Sequence, residues 1–175
     1  VSDPSNTIAV STLPIPDIPL IQALGNTDFC NGESVTIEAN GSGDLYWNTG
    51  EVGNNILVTS SGDFFVRVLA ENGCFSNPTT SIQVTVRDVP AKPIIEQIGT
   101  FSLESKTSLQ GGTFSWFQDN RQVDDQTNAI IKAKQSGAYT VYTTIKYTDM
   151  VSCSSDRSDP YIYQLENTTN GLSVF

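Results

Sequence analysis

The 175-residue sequence contains no histidine. That removes the side chain most used for proton transfer near neutral pH, excludes Ser-His-Asp and Cys-His pairs, and takes away zinc's commonest nitrogen ligand. Basic residues are scarce too, nine against nineteen acidic ones, for a formal net charge of −10. Such a chain repels a phosphate backbone, so nucleic acid is excluded as a partner, and its scattered acidic residues read as a well-hydrated surface. No apolar run is long enough to span a bilayer, so no membrane insertion is expected, and no segment spaces its apolar residues as a helix does. Because the chain starts at Val1 without an initiating methionine or basic leader, it is expected to be an excised stretch of a longer protein.

What is present is alternation. Ser34-Val35-Thr36-Ile37-Glu38-Ala39, Asn55-Ile56-Leu57-Val58-Thr59 and Ser81-Ile82-Gln83-Val84-Thr85-Val86 place apolar side chains two apart, the period of a strand with one buried face. Turn formers separate these runs: Asn31-Gly32, Asn40-Gly41-Ser42-Gly43, Ser61-Gly62-Asp63, Asn72-Gly73, Gly111-Gly112 and Asp119-Asn120. Short strands with a turn every ten residues or so predict an all-β chain of sandwich type, and its length suits two small sandwiches.

The chain also resembles itself. Tyr46-Trp47 matches Ser115-Trp116, and Ser61-Gly62-Asp63-Phe64 matches Ser136-Gly137-Ala138-Tyr139. Gly73-Cys74-Phe75-Ser76 matches Ser152-Cys153-Ser154-Ser155, while Phe29-Cys30 meets Phe101-Ser102. Ser2-Asp3-Pro4 is echoed by Ser76-Asn77-Pro78 and Ser158-Asp159-Pro160, which suggests that the chain opens in the closing strand of an earlier repeat. Prolines at 14, 16 and 19, and again at 90 and 93, mark semi-rigid spacers that cannot join a sheet interior. The expected organisation is a closing strand at 1–12, a linker at 13–19, one domain at 20–88, a linker at 89–93, a second domain at 94–165 and a tail at 166–175.

Residues 20–86 resemble the immunoglobulin-like repeats of secreted and surface proteins of Bacteroidota. The likeness rests on Cys30-Asn31-Gly32-Glu33-Ser34-Val35-Thr36-Ile37, Tyr46-Trp47-Asn48-Thr49-Gly50, Ser61 to Val68, and Gly73-Cys74-Phe75-Ser76. Residues 94–164 resemble a sister pattern, carried by Phe114-Ser115-Trp116-Phe117-Gln118-Asp119-Asn120, in which the tryptophan strand turns through an Asp/Asn hairpin. The tail Asn170-Gly171-Leu172-Ser173-Val174-Phe175 resembles the approach to the C-terminal sorting domain of type IX secretion cargo. The resemblance implies two tandem immunoglobulin-like antiparallel β-sandwiches in a secreted or cell-surface protein, on the outer face of the outer membrane. It implies a non-catalytic spacer or adhesin of gliding type. Its implied partners are other domains of the parent protein, the type IX machinery or surface glycans. The alternative is a carbohydrate-binding accessory module of a polysaccharide-degrading enzyme.

Candidate residues follow from these patterns. Trp47 and Trp116 sit mid-strand, where a sandwich core takes a large apolar side chain, and Phe64 and Tyr139 follow the Ser-Gly corners as further core aromatics. Tyr139 is expected to make a tyrosine-corner hydrogen bond, which Phe64 cannot. Adjacent strand residues face opposite ways, so Phe117 beside Trp116 should point outward, toward any ligand. The oxidising compartment that the resemblance implies suggests a Cys30–Cys74 disulfide, with Cys153 left as a free thiol. In an antibody-like topology, however, Cys30 and Cys74 fall near opposite ends of the sandwich. Asp119, Asp124, Asp125, Asp156 and Asp159 lack the spacing of a calcium loop and read as solvated turns. No metal, cofactor or catalytic residue is expected.

Overall fold

The computed structural model describes residues 11–107 and 111–165, all in strands, turns and irregular segments without a helix. Two compact units divide the chain, residues 1–86 and 87–175. Most of the expected closing strand at 1–12, and the whole tail at 166–175, lie outside the described residues.

Unit 1 contains β1 (Leu20–Ala23), β2 (Asp28–Cys30), β3 (Val35–Asn40), β4 (Asp44–Trp47), β5 (Asn55–Val58), β6 (Gly62–Phe64), β7 (Val66–Leu69) and β8 (Ile82–Arg87). One sheet runs β1-β3-β5; the other is formed by β4-β7 and β2-β8-β6. Strands β6 and β7 are one run interrupted at Phe65. The interruption is bridged by Asn48, whose amide donates to the Phe65 carbonyl and whose Oδ1 accepts the Phe65 amide, both at 3.0 Å. Alternation has its expected effect: in β3, Val35, Ile37 and Ala39 are buried while Glu38 and Asn40 are exposed. They pack with Ile56 and Val58 of β5 against Leu45, Trp47, Val66, Val68 and Val84 of the facing sheet, so one core joins the two layers. Each such aliphatic side chain contributes about 1.5–3 kcal/mol of burial.

Unit 2 contains β9 (Ile94–Gly99), β10 (Ser102–Lys106), β11 (Thr113–Gln118), β12 (Arg121–Gln122), β13 (Ile130–Lys132), β14 (Gly137–Lys146), β15 (Ser152–Ser154) and β16 (Tyr161–Tyr163). Its sheets run β9-β10-β13 and β12-β11-β14, with β15 and β16 both paired to the far side of β14. Its core gathers Ile95, Leu103, Trp116, Ile131, Ala133, Tyr139, Val141 and Tyr163. The Asp119-Asn120 hairpin joins β11 to β12 with both residues at positive φ, 48° and 66°, the geometry a two-residue loop needs.

The prolines at 14, 16, 19, 90 and 93 lie in segments without strand structure. Pro19 and Pro93, each immediately before the first long strand of its unit, are buried. Two glycines have a comparable repeat logic. Gly43 and Gly112 each lie four residues before the core tryptophan. A Cβ at Gly43 would stand 2.5 Å from the Leu69 carbonyl oxygen, and one at Gly112 would stand 2.7 Å from Thr143 Cγ2. Only a residue without a side chain lets the tryptophan strand start this close to its neighbour.

The expected pairing of Cys30 with Cys74 is not formed. Cys74 is a free thiol, and Cys30 and Cys153 are the disulfide-bonded cysteines, so the expectation of a free Cys153 is corrected as well. Distance explains the failure of the first pairing. Gly62 at the start of the β6/β7 run faces Val84, whereas Leu69 at its end bridges to Phe75 beside Cys74. Cys30 belongs to β2, which joins β8 where Thr85 donates to the Thr27 carbonyl, at the Gly62 end. Seven strand residues separate the two ends, about 23 Å, and a disulfide spans about 6 Å between Cα atoms.

Candidate functional site

Trp47 and Trp116 are both buried, and each indole reaches the same kind of acceptor. Trp47 Nε1 donates to the Gly53 carbonyl at 2.9 Å, and Trp116 Nε1 donates to the Asn128 carbonyl at 3.0 Å. Gly53 and Asn128 each stand two residues before the next strand of the opposite sheet, β5 or β13. The tryptophan therefore fills the core and pins the crossing between layers, which satisfies its one polar atom.

Phe64 and Tyr139 are buried at equivalent places. The Tyr139 hydroxyl donates to the Gln135 carbonyl at 3.0 Å, and its ring meets Tyr163 edge-on at 6.0 Å. Burial is the main cause that pushes the Tyr139 hydroxyl above the usual 10.0. Ser61 and Ser136, one residue before each corner glycine, accept amide hydrogens from Val86 in the last strand of unit 1 and from Leu165 just past the last strand of unit 2, both at 2.8 Å.

A second serine device was not legible as such in the sequence. Val68 donates its amide to Ser76 Oγ at 2.9 Å and Val66 to Thr79 Oγ1 at 3.3 Å. In unit 2, Thr143 donates to Ser155 Oγ and Val141 to Ser158 Oγ, both at 3.0 Å. The same four residues return their own amides to those carbonyls. Hydroxyls thus take the place of strand carbonyls, and the two residues between each pair arch away from the sheet. The signal was the shared Ser-x-x-Ser/Thr spacing. These bonds make Ser76 equivalent to Ser155, not to Ser158, so the likeness of Ser76-Asn77-Pro78 to Ser158-Asp159-Pro160 is a three-residue shift.

On the outer face of the tryptophan sheet the two units diverge. In unit 1, Tyr46 stands opposite Arg67 and meets Phe75 edge-on at 5.4 Å. In unit 2, Phe117 is partly exposed beside fully buried Trp116; it lies 5.8 Å from Tyr142, and the Arg157 guanidinium covers its ring at 3.7 Å. Arg157 belongs to the arch between Ser155 and Ser158. The outward aromatic–arginine groups thus differ in build: Arg67 comes from the strand beside Tyr46, whereas Arg157 reaches over Phe117 from the arch.

The acidic residues form no cation site. Asp119 Oδ1 accepts the Ala138 amide at 2.9 Å, Asp159 meets Lys92 at 2.6 Å, and among the described residues no three acidic or cysteine side chains gather. Two surface grooves of about 560 and 570 Å³ each hold a single carboxylate, Glu38 and Asp119, so neither offers an acid/base pair. No helix among the described residues is long and apolar enough to cross a membrane.

No protein-family model matches the chain, and no curated protein matches it. Solved structures with immunoglobulin-like folds do. The human OSCAR ligand-binding domain shares 13% identity over 86% of this chain and 100% of that one, with a TM-score of 0.37. Murine CEACAM1b shares 13% over 83% and 100%, at 0.41. Domains A168–A170 of titin share 13% over 82% of this chain and 65% of that one, at 0.34.

Proposed function

We propose that the chain is a non-catalytic spacer and adhesion region built of two tandem immunoglobulin-like domains. It belongs to a secreted or cell-surface bacterial protein exported by type IX secretion, and its partners are the other domains of that protein. The observation that carries this reading is a conserved interior with a changing exterior: the same glycine, tryptophan and serine devices recur in both units, while the outward aromatic–arginine groups differ. Invariant scaffolding with variable faces suits a repeat that extends a chain and presents surfaces. The four-block resemblance to Bacteroidota repeats supports the compartment. Antibody labelling of residues 20–165 on intact cells tests it: labelling is expected in a secretion-competent Bacteroidota host and lost when type IX secretion is inactivated. Equal labelling in both hosts overturns the assignment.

A carbohydrate-binding accessory module is the second reading, favoured by the outward Phe117–Tyr142 pair. Phe117→Ala should abolish binding on a glycan array while leaving the fold intact. Absence of glycan binding by the unaltered chain removes this reading.

A further inference from the structure

Arg157 is the unusual group on this surface. The chain carries net charge −10, yet this exposed guanidinium has no ion-pair partner among the described residues and lies instead over the Phe117 ring. Its backbone is fixed on both sides. Ser155 accepts the Thr143 amide and donates to the Asp156 carbonyl at 2.8 Å, and Ser158 accepts the Val141 amide. Both serines are buried. The arch therefore holds Arg157 with little left to order when a ligand arrives.

Stacking occupies the flat face of a guanidinium and leaves its N–H edge, the part that pairs with carboxylates in two parallel hydrogen bonds. The Tyr142 ring lies 5.8 Å from the same Phe117 ring that the guanidinium covers.

We infer that Phe117, Tyr142 and Arg157 form a subsite for a single carboxylated sugar unit at the end of an otherwise neutral glycan, an inference that rests on the carbohydrate reading above. The guanidinium edge takes the carboxylate, and Tyr142 and the stacked arginine support the ring. The overall negative charge selects against polyanions, whose many carboxylates meet long-range repulsion, whereas one carboxylate is governed within a Debye length of about 8 Å by the nearest cation.

The test titrates the 175-residue chain with a neutral oligosaccharide ending in one glucuronate, and with the methyl ester of that same compound, by calorimetry. The glucuronate should bind at least tenfold more tightly than its ester, Arg157→Gln should erase that difference with an unchanged melting temperature, and added salt should narrow it. If acid and ester bind equally and Phe117→Ala weakens both, the carboxylate subsite is overturned and the carbohydrate reading stands. If neither binds, both fall.

Discussion

Trp116 Nε1 donates to the backbone carbonyl of Asn128 at 3.0 Å, joining the centre of one sheet to the approach of a strand in the other. Because the indole is fully buried, that bond has no water to replace it. Trp116→Phe should cost about 2–4 kcal/mol, combining the lost volume with an abandoned carbonyl. Urea unfolding followed by far-ultraviolet dichroism measures it, and a loss below 1 kcal/mol contradicts the pinning role.

Tyr139 supplies a pH signature. Its raised folded-state value means that the neutral hydroxyl is favoured by folding, so its contribution is complete below the unfolded value near 10 and is lost as pH rises through the folded one. Tyr139→Phe should cost about 1 kcal/mol at neutral pH. It should also flatten the alkaline fall in stability, which thermal melts between pH 8 and pH 11 would reveal.

The serine clips predict a contrast within a few residues. Ser158→Ala leaves the buried Val141 amide without its acceptor and should cost about 1–3 kcal/mol. Ser154→Ala removes only an exposed hydroxyl contact with Thr144 and should change stability by about 0.5 kcal/mol or less. Equal effects would show that the clip is dispensable.

Much of this architecture is local enough to read from sequence. Period-two runs located the strands, the tryptophans marked the core, and the direction of Phe117 followed from that of Trp116 beside it. The Asp119-Asn120 pair announced a hairpin because positive φ is a property of two neighbouring residues. What escaped was non-local. The hydroxyls of Ser76 and Ser155 acquire a role only when a strand eight and twelve residues upstream is laid beside them. The state of each cysteine depends on where the strand ends fall, and the Arg157–Phe117 contact joins residues forty apart through an arch that no periodicity signals.

Cysteine chemistry gives a direct count. Unfolding without reductant in the presence of an alkylating agent should label Cys74 alone, with Cys30 and Cys153 modified only after reduction. Mass spectrometry of the peptides reads this, and labelling of Cys30 or Cys153 before reduction contradicts it.

On the proposed reading, these units present surfaces and carry out no reaction. Prolonged incubation of the chain with a panel of neutral and acidic polysaccharides, followed by measurement of new reducing ends, addresses it directly. None is expected above the protein-free control, whether or not a glycan binds. Steady release of reducing ends that disappears in Glu38→Gln or Asp119→Asn would contradict it.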